Sequence, residues 1–166
     1  AVPVRDGRPL ETGDYAIPGV PGSGARSQVD FSDTAGGVTG QLLPTGNPVD
    51  RLDVDGHGEI DVSLVDIGNP HVFVRAADLG LRGSETAAEI DGNRPLVEKL
   101  ERIRCAGADR MGMVSSPEAG TSESPAAPLV AMIAPSEDYK NVLGNSTVRA
   151  EETDFLSRLM FMQQMH

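Results

Sequence analysis

Cysteine is nearly absent from this chain. Cys105 stands alone among 166 residues, so no disulfide can form within it and no thiolate cluster can hold a metal; such usage suits a reducing compartment. His57, His71 and His166 lie too far apart to form a helical zinc pair, so no metal is expected. Positive charge is also scarce. Fourteen Lys and Arg face 25 Asp and Glu for a net charge of −11, and the basic residues are scattered rather than striped, which excludes nucleic acid and anionic membrane as expected partners. A small anionic substrate stays open, because a few local cations override a global sign. No apolar run approaches a membrane span, and the opening AVPVRDGRP has neither the basic start nor the apolar centre of a signal peptide, so a cytoplasmic location is expected. Also missing are a Gly-x-Ser-x-Gly elbow, a nucleotide P-loop ending and a dinucleotide fingerprint.

What is present is enough chain for one domain with a real core, organised around Gly58 to Gly80. Ile60, Val62, Leu64, Val65 and Ile67 lead into Gly68-Asn69-Pro70, after which Val72, Phe73 and Val74 resume. The β-branched enrichment and the short runs predict strand, tight break, strand. Gly68 admits backbone conformations closed to other residues, while Pro70 fixes its own φ and restricts Asn69 before it. Asn69 is thereby a short amide held at a strand end. On chemistry alone it reads first as an Asx-type turn bonded to its own backbone, and second as a ligand holder.

The remaining segments follow from their periods. Ala1 to Val4 reads as a strand tail entering a turn at Arg5 to Pro9. Glu11 to Gly46 suggests short strands joined by turns, with Val29 and Phe31 alternating as a half-buried strand. The glycines of Gly19 to Ala25 read as a plain turn rather than an anion cradle. Asp55-Gly56-His57-Gly58 predicts a hairpin turn. Asn93 and Pro95 start a helix whose apolar face is Leu96, Val97, Leu100 and Ile103, ending near Gly107, with Ala108 to Val114 returning to a sheet. Arg110, at that junction, can fork onto a carboxylate or simply pair with one of many acids. Cys105 reads as a small buried hydrophobe. Ser115 to Pro128 predicts a mobile surface loop, Leu129 to Ala134 a buried strand, and Thr153 to Met165 a helix. Together these elements give an α/β (α+β) fold, with a mostly antiparallel or mixed sheet carrying the helix.

Taken in order, GDYAIPGVPGSGA, VDF, TGQLLPTGN, VSLVDIGNPHVFVRAADLGL, ADRMGM and RLMFMQQMH resemble the 2-methylaconitate cis-trans isomerase (PrpF) family. The resemblance implies a fold like diaminopimelate epimerase: two similar halves, each a curved sheet wrapped on a helix, with the active site in the cleft between them. It further implies cofactor-independent proton transfer at carbon on a small unsaturated tricarboxylate, in propionate catabolism through the methylcitrate cycle. A related class tautomerises 4-oxalomesaconate. By resemblance Asn69 lies in the substrate-holding Gly68–His71 segment, Arg110 in the Arg-Met-Gly segment, and His166 closes the Met-x-x-Met-His run; these three are the expected substrate-binding residues.

The family's Cys-Gly-Asn motif and catalytic lysine have no counterpart here, nor does the threonine-glycine helix start expected after His166. Residues 1–166 are therefore expected to be a single domain resembling the interior second half of a longer enzyme. Its expected partners are the tricarboxylate and the missing first half. No catalytic acid or base is identified within the chain, which alone is expected to be inactive. A stand-alone, non-catalytic α/β binding module is the alternative.

Overall fold

A computed structural model describes residues 1–17, 20–140 and 144–165. The chain divides into two compact units, Ala1–Thr34 and Ala35–His166. In the first, strands β1 (Val4–Arg5) and β2 (Arg8–Pro9) flank Asp6 and Gly7, both at positive φ, as a tight hairpin requires. Tyr15 and Gly24 exchange backbone bonds of 3.1 and 3.0 Å, so the Gly24 amide closes a turn rather than facing an anion; Gly19 lies outside the described residues. The strand expected at Val29 and Phe31 does not form. Both side chains are exposed, and the Asp30 carboxylate accepts from the Ser32 amide, a local bond that bends the chain where a strand would need a neighbour.

The second unit is built on a six-stranded sheet. Strands β3 (Asp50–Val54), β4 (Gly58–Ile67) and β5 (Asn69–Arg75) form an antiparallel meander, and β6 (Leu129–Pro135) then joins β5 in parallel. Beyond β6 lie β9 (Phe155–Phe161) and β10 (Gln164–Met165), giving the order β10-β9-β6-β5-β4-β3. A separate two-stranded ribbon pairs β7 (Tyr139–Lys140) with β8 (Thr147–Val148). The parallel β5–β6 junction needs a crossover, and the long helix supplies it. Thus the fold is mixed α/β, as expected.

Helix α1 (Ala87–Asp91) opens on a Thr86–Glu89 capping box, and α2 (Arg94–Arg110) on the Asn93 side chain with Pro95 in the first turn. Leu96, Leu100 and Ile103 of α2 meet Val54, Val62, Leu64, Val72, Val74, Val130 and Met132 in the main core. Each fully buried aliphatic side chain of this kind contributes about 1.5–3 kcal/mol. Neither the end of α2 nor the return to a sheet is as expected. Gly107 sits inside the helix because a Cβ there would lie 2.4 Å from Val72 Cγ2; its lack of a side chain is what lets α2 approach β5. The helix stops after Arg110, where Gly112 (φ 72) takes the left-handed conformation and the Met113 amide bonds Ala108 O, closing a Schellman end and leaving 108–114 out of the sheet.

Two further expectations fail. Ser115 to Pro128 is not a mobile loop: it holds a 3-10 turn at Pro117–Ala119 and a short helix, α3 (Gly120–Glu123), tied to α2 by buried Arg104. Thr153 to Met165 is not a helix. Its apolar residues satisfy both periods, and pairing with β6 decides for the strand, sending Leu156 and Met160 into the core and leaving Phe155 and Phe161 exposed. Among the described residues no helix is long and apolar enough to cross a membrane.

Candidate functional site

The β4–β5 turn is as tight as a hairpin can be. Ile67 pairs with Asn69 across Gly68, whose φ of 90° excludes other residues without strain. Asn69 is exposed, and among the described residues its carboxamide makes no hydrogen bond, so the Asx-type reading does not describe it. Its backbone is held instead: His71 Nδ1 lies 2.7 Å from Asn69 O, which as an acceptor requires the proton on Nδ1, and the His71 ring stacks on Phe73 at 5.5 Å. The result is a fixed main chain presenting an amide that has no partner among the described residues.

Beside this turn the chain from Ala35 to Pro48 continues the sheet edge that β3 leaves uncovered. Ala35 bridges Ile67, Gly36 donates to Asp66 O at 2.8 Å, and the Asp66 amide donates to Leu42 O at 2.9 Å. The Asp66 side chain, wholly buried, accepts at Oδ2 from the Val38 amide (2.8 Å), the Thr39 amide (2.6 Å) and the Thr39 hydroxyl (2.9 Å). Burial works against its charge, and the bonds from Thr39 and Val38, helped by the nearby Gly68 amide, outweigh it, holding the carboxyl below its ordinary range. The sequence carries a signal for this residue: Val62, Leu64 and Asp66 share the inward parity of β4, and a carboxylate at core parity demands partners.

Arg110 stands one turn past Gly107 on α2. That helix crosses the sheet from Arg102, bonded to Asp55 at the β3–β4 hairpin, toward the end bearing the Gly68 turn. The Arg110 guanidinium is half exposed and lies 3.6 Å from Asp50, which is buried and already accepts from Thr45 Oγ1 and Asn47 Nδ2. At that distance the pair is Coulombic rather than a hydrogen-bonded fork, so Arg110 is only loosely engaged. Asn69 shares the parity of His71 and Phe73, on the face of the sheet away from α2; Asn69 and Arg110 thus share an end of the sheet without contact. His166 lies outside the described residues.

Other polar groups serve the fold. Arg104 is buried, forks onto Glu101 at 2.7 Å twice, and donates to the carbonyls of Gly120, Ser124 and Ala127. Burial opposes the Glu101 charge, yet Arg104 and the Thr121 hydroxyl hold its carboxyl below the ordinary range. Cys105 is buried against Gly120, and burial pushes its thiol pKa up, which opposes the thiolate a nucleophile or base needs. Among the described residues no group of His, Cys, Asp or Glu is arranged to hold a metal ion.

The family model described as PrpF protein matches residues 1–166. A 3-methylitaconate isomerase from Eubacterium barkeri is 44% identical over 165 residues, covering 99% of this chain and 43% of that protein. A 2-methyl-aconitate isomerase from Shewanella oneidensis is 36% identical over 168 residues, covering 99% and 42%. A crystal structure of methylitaconate-delta-isomerase superposes with a TM-score of 0.88 at 44% identity, over 99% of this chain and 42% of that one. The chain spans well under half the length of these relatives, and along its whole length it belongs to the PrpF protein family.

Proposed function

We infer that this chain forms one wall of the cleft of a cofactor-independent isomerase that shifts or isomerises a double bond in a small unsaturated tricarboxylate by proton transfer at carbon, 2-methylaconitate being the leading candidate. The observation that carries this reading is the match to isomerases along the whole of this chain, together with an exposed Asn69 carboxamide that has no partner among the described residues at the Gly-Asn-Pro-His turn. Asn69 and Arg110 hold substrate carboxylates, His166 joins them, and the acid and base come from the complementary half of the protein. A carbanion-like state needs a base poised near neutral pH and donors for developing charge; this wall supplies donors. The 44% identity to a 3-methylitaconate isomerase favours a second reading in which the substrate is that smaller acid. A 4-oxalomesaconate tautomerase, 40% identical over 112 residues, represents the tautomerising alternative.

The test uses proton NMR in D2O with each of the three acids, on the chain alone and on the complete protein. The chain alone should leave isomer ratio and deuterium content at the buffer blank. In the complete protein Asn69→Ala should lower kcat/KM and Arg110→Ala should lower it more, by about 1.5–3 kcal/mol for a lost bond to a carboxylate. Parental kcat/KM in both variants, at unchanged stability, would remove these residues from the site; turnover by the chain alone would place the chemistry within it.

A further inference from the structure

We propose that Asp66 is a positioning residue, a buried joint that locks the Gly36–Leu42 loop to the Gly68 turn and so fixes the direction in which Asn69 meets substrate. The inference rests on the reading of Asn69 as a substrate holder. Three features of the geometry point to it. First, Asp66 joins the loop through every polar group it has except one: its N–H and C=O bond Leu42 and Gly36, and its Oδ2 gathers both Val38 and Thr39 amides and the Thr39 hydroxyl. Second, its cross-strand partner is Pro70, the residue next to Asn69. Because the Asp66 N–H and C=O both turn to the loop, this pair exchanges no backbone bonds across β4 and β5, and the loop on the far side of β4 supplies the restraint. Third, Asp66 Oδ1 is buried without a hydrogen-bond partner among the described residues. Leaving one carboxylate oxygen empty in the interior is costly, and a structural role alone would be served better by an apolar residue at this core-facing position. Only a charged acceptor, however, draws two consecutive amides and a hydroxyl onto one point.

The joint explains why the turn holds its shape with a single glycine at its apex. Ile67 is bridged to Ala35 on one side and Asn69 O is held by His71 on the other, so Asp66 and His71 grip the two limbs of the turn from opposite directions. Loosening the loop frees the Ile67 limb and lets the Asn69 carboxamide wander.

Two measurements test this. On the 166-residue chain, amide hydrogen exchange is followed by NMR for wild type, Thr39→Ser, Thr39→Val and Asp66→Asn. Thr39→Val, which removes the hydroxyl shared between the Asp66 carboxylate and Gln41 O, should speed exchange at Val38 and Thr39 and also at Gly68 and Asn69 by about tenfold or more, the size of one charge-assisted bond; Thr39→Ser should keep wild-type rates. Faster exchange confined to the loop, with Gly68 and Asn69 unchanged, overturns the proposal. The second measurement is a double-mutant cycle in the complete protein with 2-methylaconitate. Thr39→Val should lower kcat/KM in the wild-type background and have little further effect once Asn69 is alanine, because its influence passes through that side chain. Additive losses overturn the positioning role while leaving Asn69 a substrate residue. An Asn69→Ala variant with parental kcat/KM overturns both, so the two failures are told apart.

Discussion

Replacing Gly107 by alanine tests whether the close approach of α2 to β5 is real. In an open helix the change would stabilise, because alanine is favoured over glycine by about 0.8–1.0 kcal/mol. Here the new methyl would stand 2.4 Å from Val72 Cγ2 and 3.5 Å from Leu64 Cδ2, whereas carbon pairs settle at about 3.5–4.0 Å. Relief needs more than an ångström of movement. Val72 is β-branched and wholly buried, on a strand paired on both sides, so it has no free rotamer to yield. Overpacking of this kind costs about 1–3 kcal/mol, and the displacement required places it in the upper part of that range. The net expectation is a loss of about 1–2 kcal/mol, read as a lower urea midpoint at unchanged slope. In a Val72→Ala background the same substitution should turn neutral or stabilising, because the methyl then fills space that Val72 vacated, giving a favourable coupling of about 1–2 kcal/mol. A Gly107→Ala chain whose midpoint equals or exceeds wild type would refute the close contact and with it the reason α2 runs through Gly107.

Arg104→Leu should destabilise the chain by about 3 kcal/mol, since it strands the Glu101 carboxylate and three carbonyls; limited proteolysis should then cut between Ser115 and Pro128, and resistance equal to wild type would show that this segment does not depend on Arg104. Acid should weaken the fold through Asp66 and Glu101. Both carboxyls are held below their ordinary values of 3.8 and 4.5, so the stability they contribute is whole above those values and is lost as pH falls through the folded-state pKa. Urea midpoints should stay level from neutral pH to about pH 5 and fall below that; a midpoint that rises on acidification would contradict the assignment.

Much of the architecture was legible because local and tertiary preferences agree there. The Gly68 break between two β-branched runs, the Asp55–Gly58 hairpin and the Asn93–Pro95 helix start all form where their residues predict them. Reading failed where two periods fit the same residues or where a distant partner decided. Phe155, Leu159 and Met162 lie on one helical line, yet Leu156 and Met160 also alternate as a strand, and only β6 lying alongside selects the second. Gly107 looks like a helix stop until Val72 is known to lie beneath it. The polar composition of 115–128 suggests mobility until a buried guanidinium is found bonding its carbonyls.

The same reasoning explains why a site can be read from residue types more easily at Asn69 than elsewhere. A carboxamide on a glycine-proline turn at a strand end has few structural duties, and among the described residues this one has no hydrogen-bond partner. Arg110 carried no such distinction in the sequence, because a chain with 25 acids offers an arginine many partners, and it stands in loose register with Asp50. The more deeply buried ionisable groups, Asp50, Asp66, Glu101 and Arg104, all accept or donate to other parts of this chain. A proton-transfer base must keep its lone pair available and its pKa near neutral, whereas Asp66 and Glu101 are held well on the acidic side by the bonds that secure them. What these residues supply is stiffness. On the function proposed above, such a wall would contribute orientation while the proton chemistry comes from the complementary half, and that orientation would survive only while the joint beneath the turn stays closed.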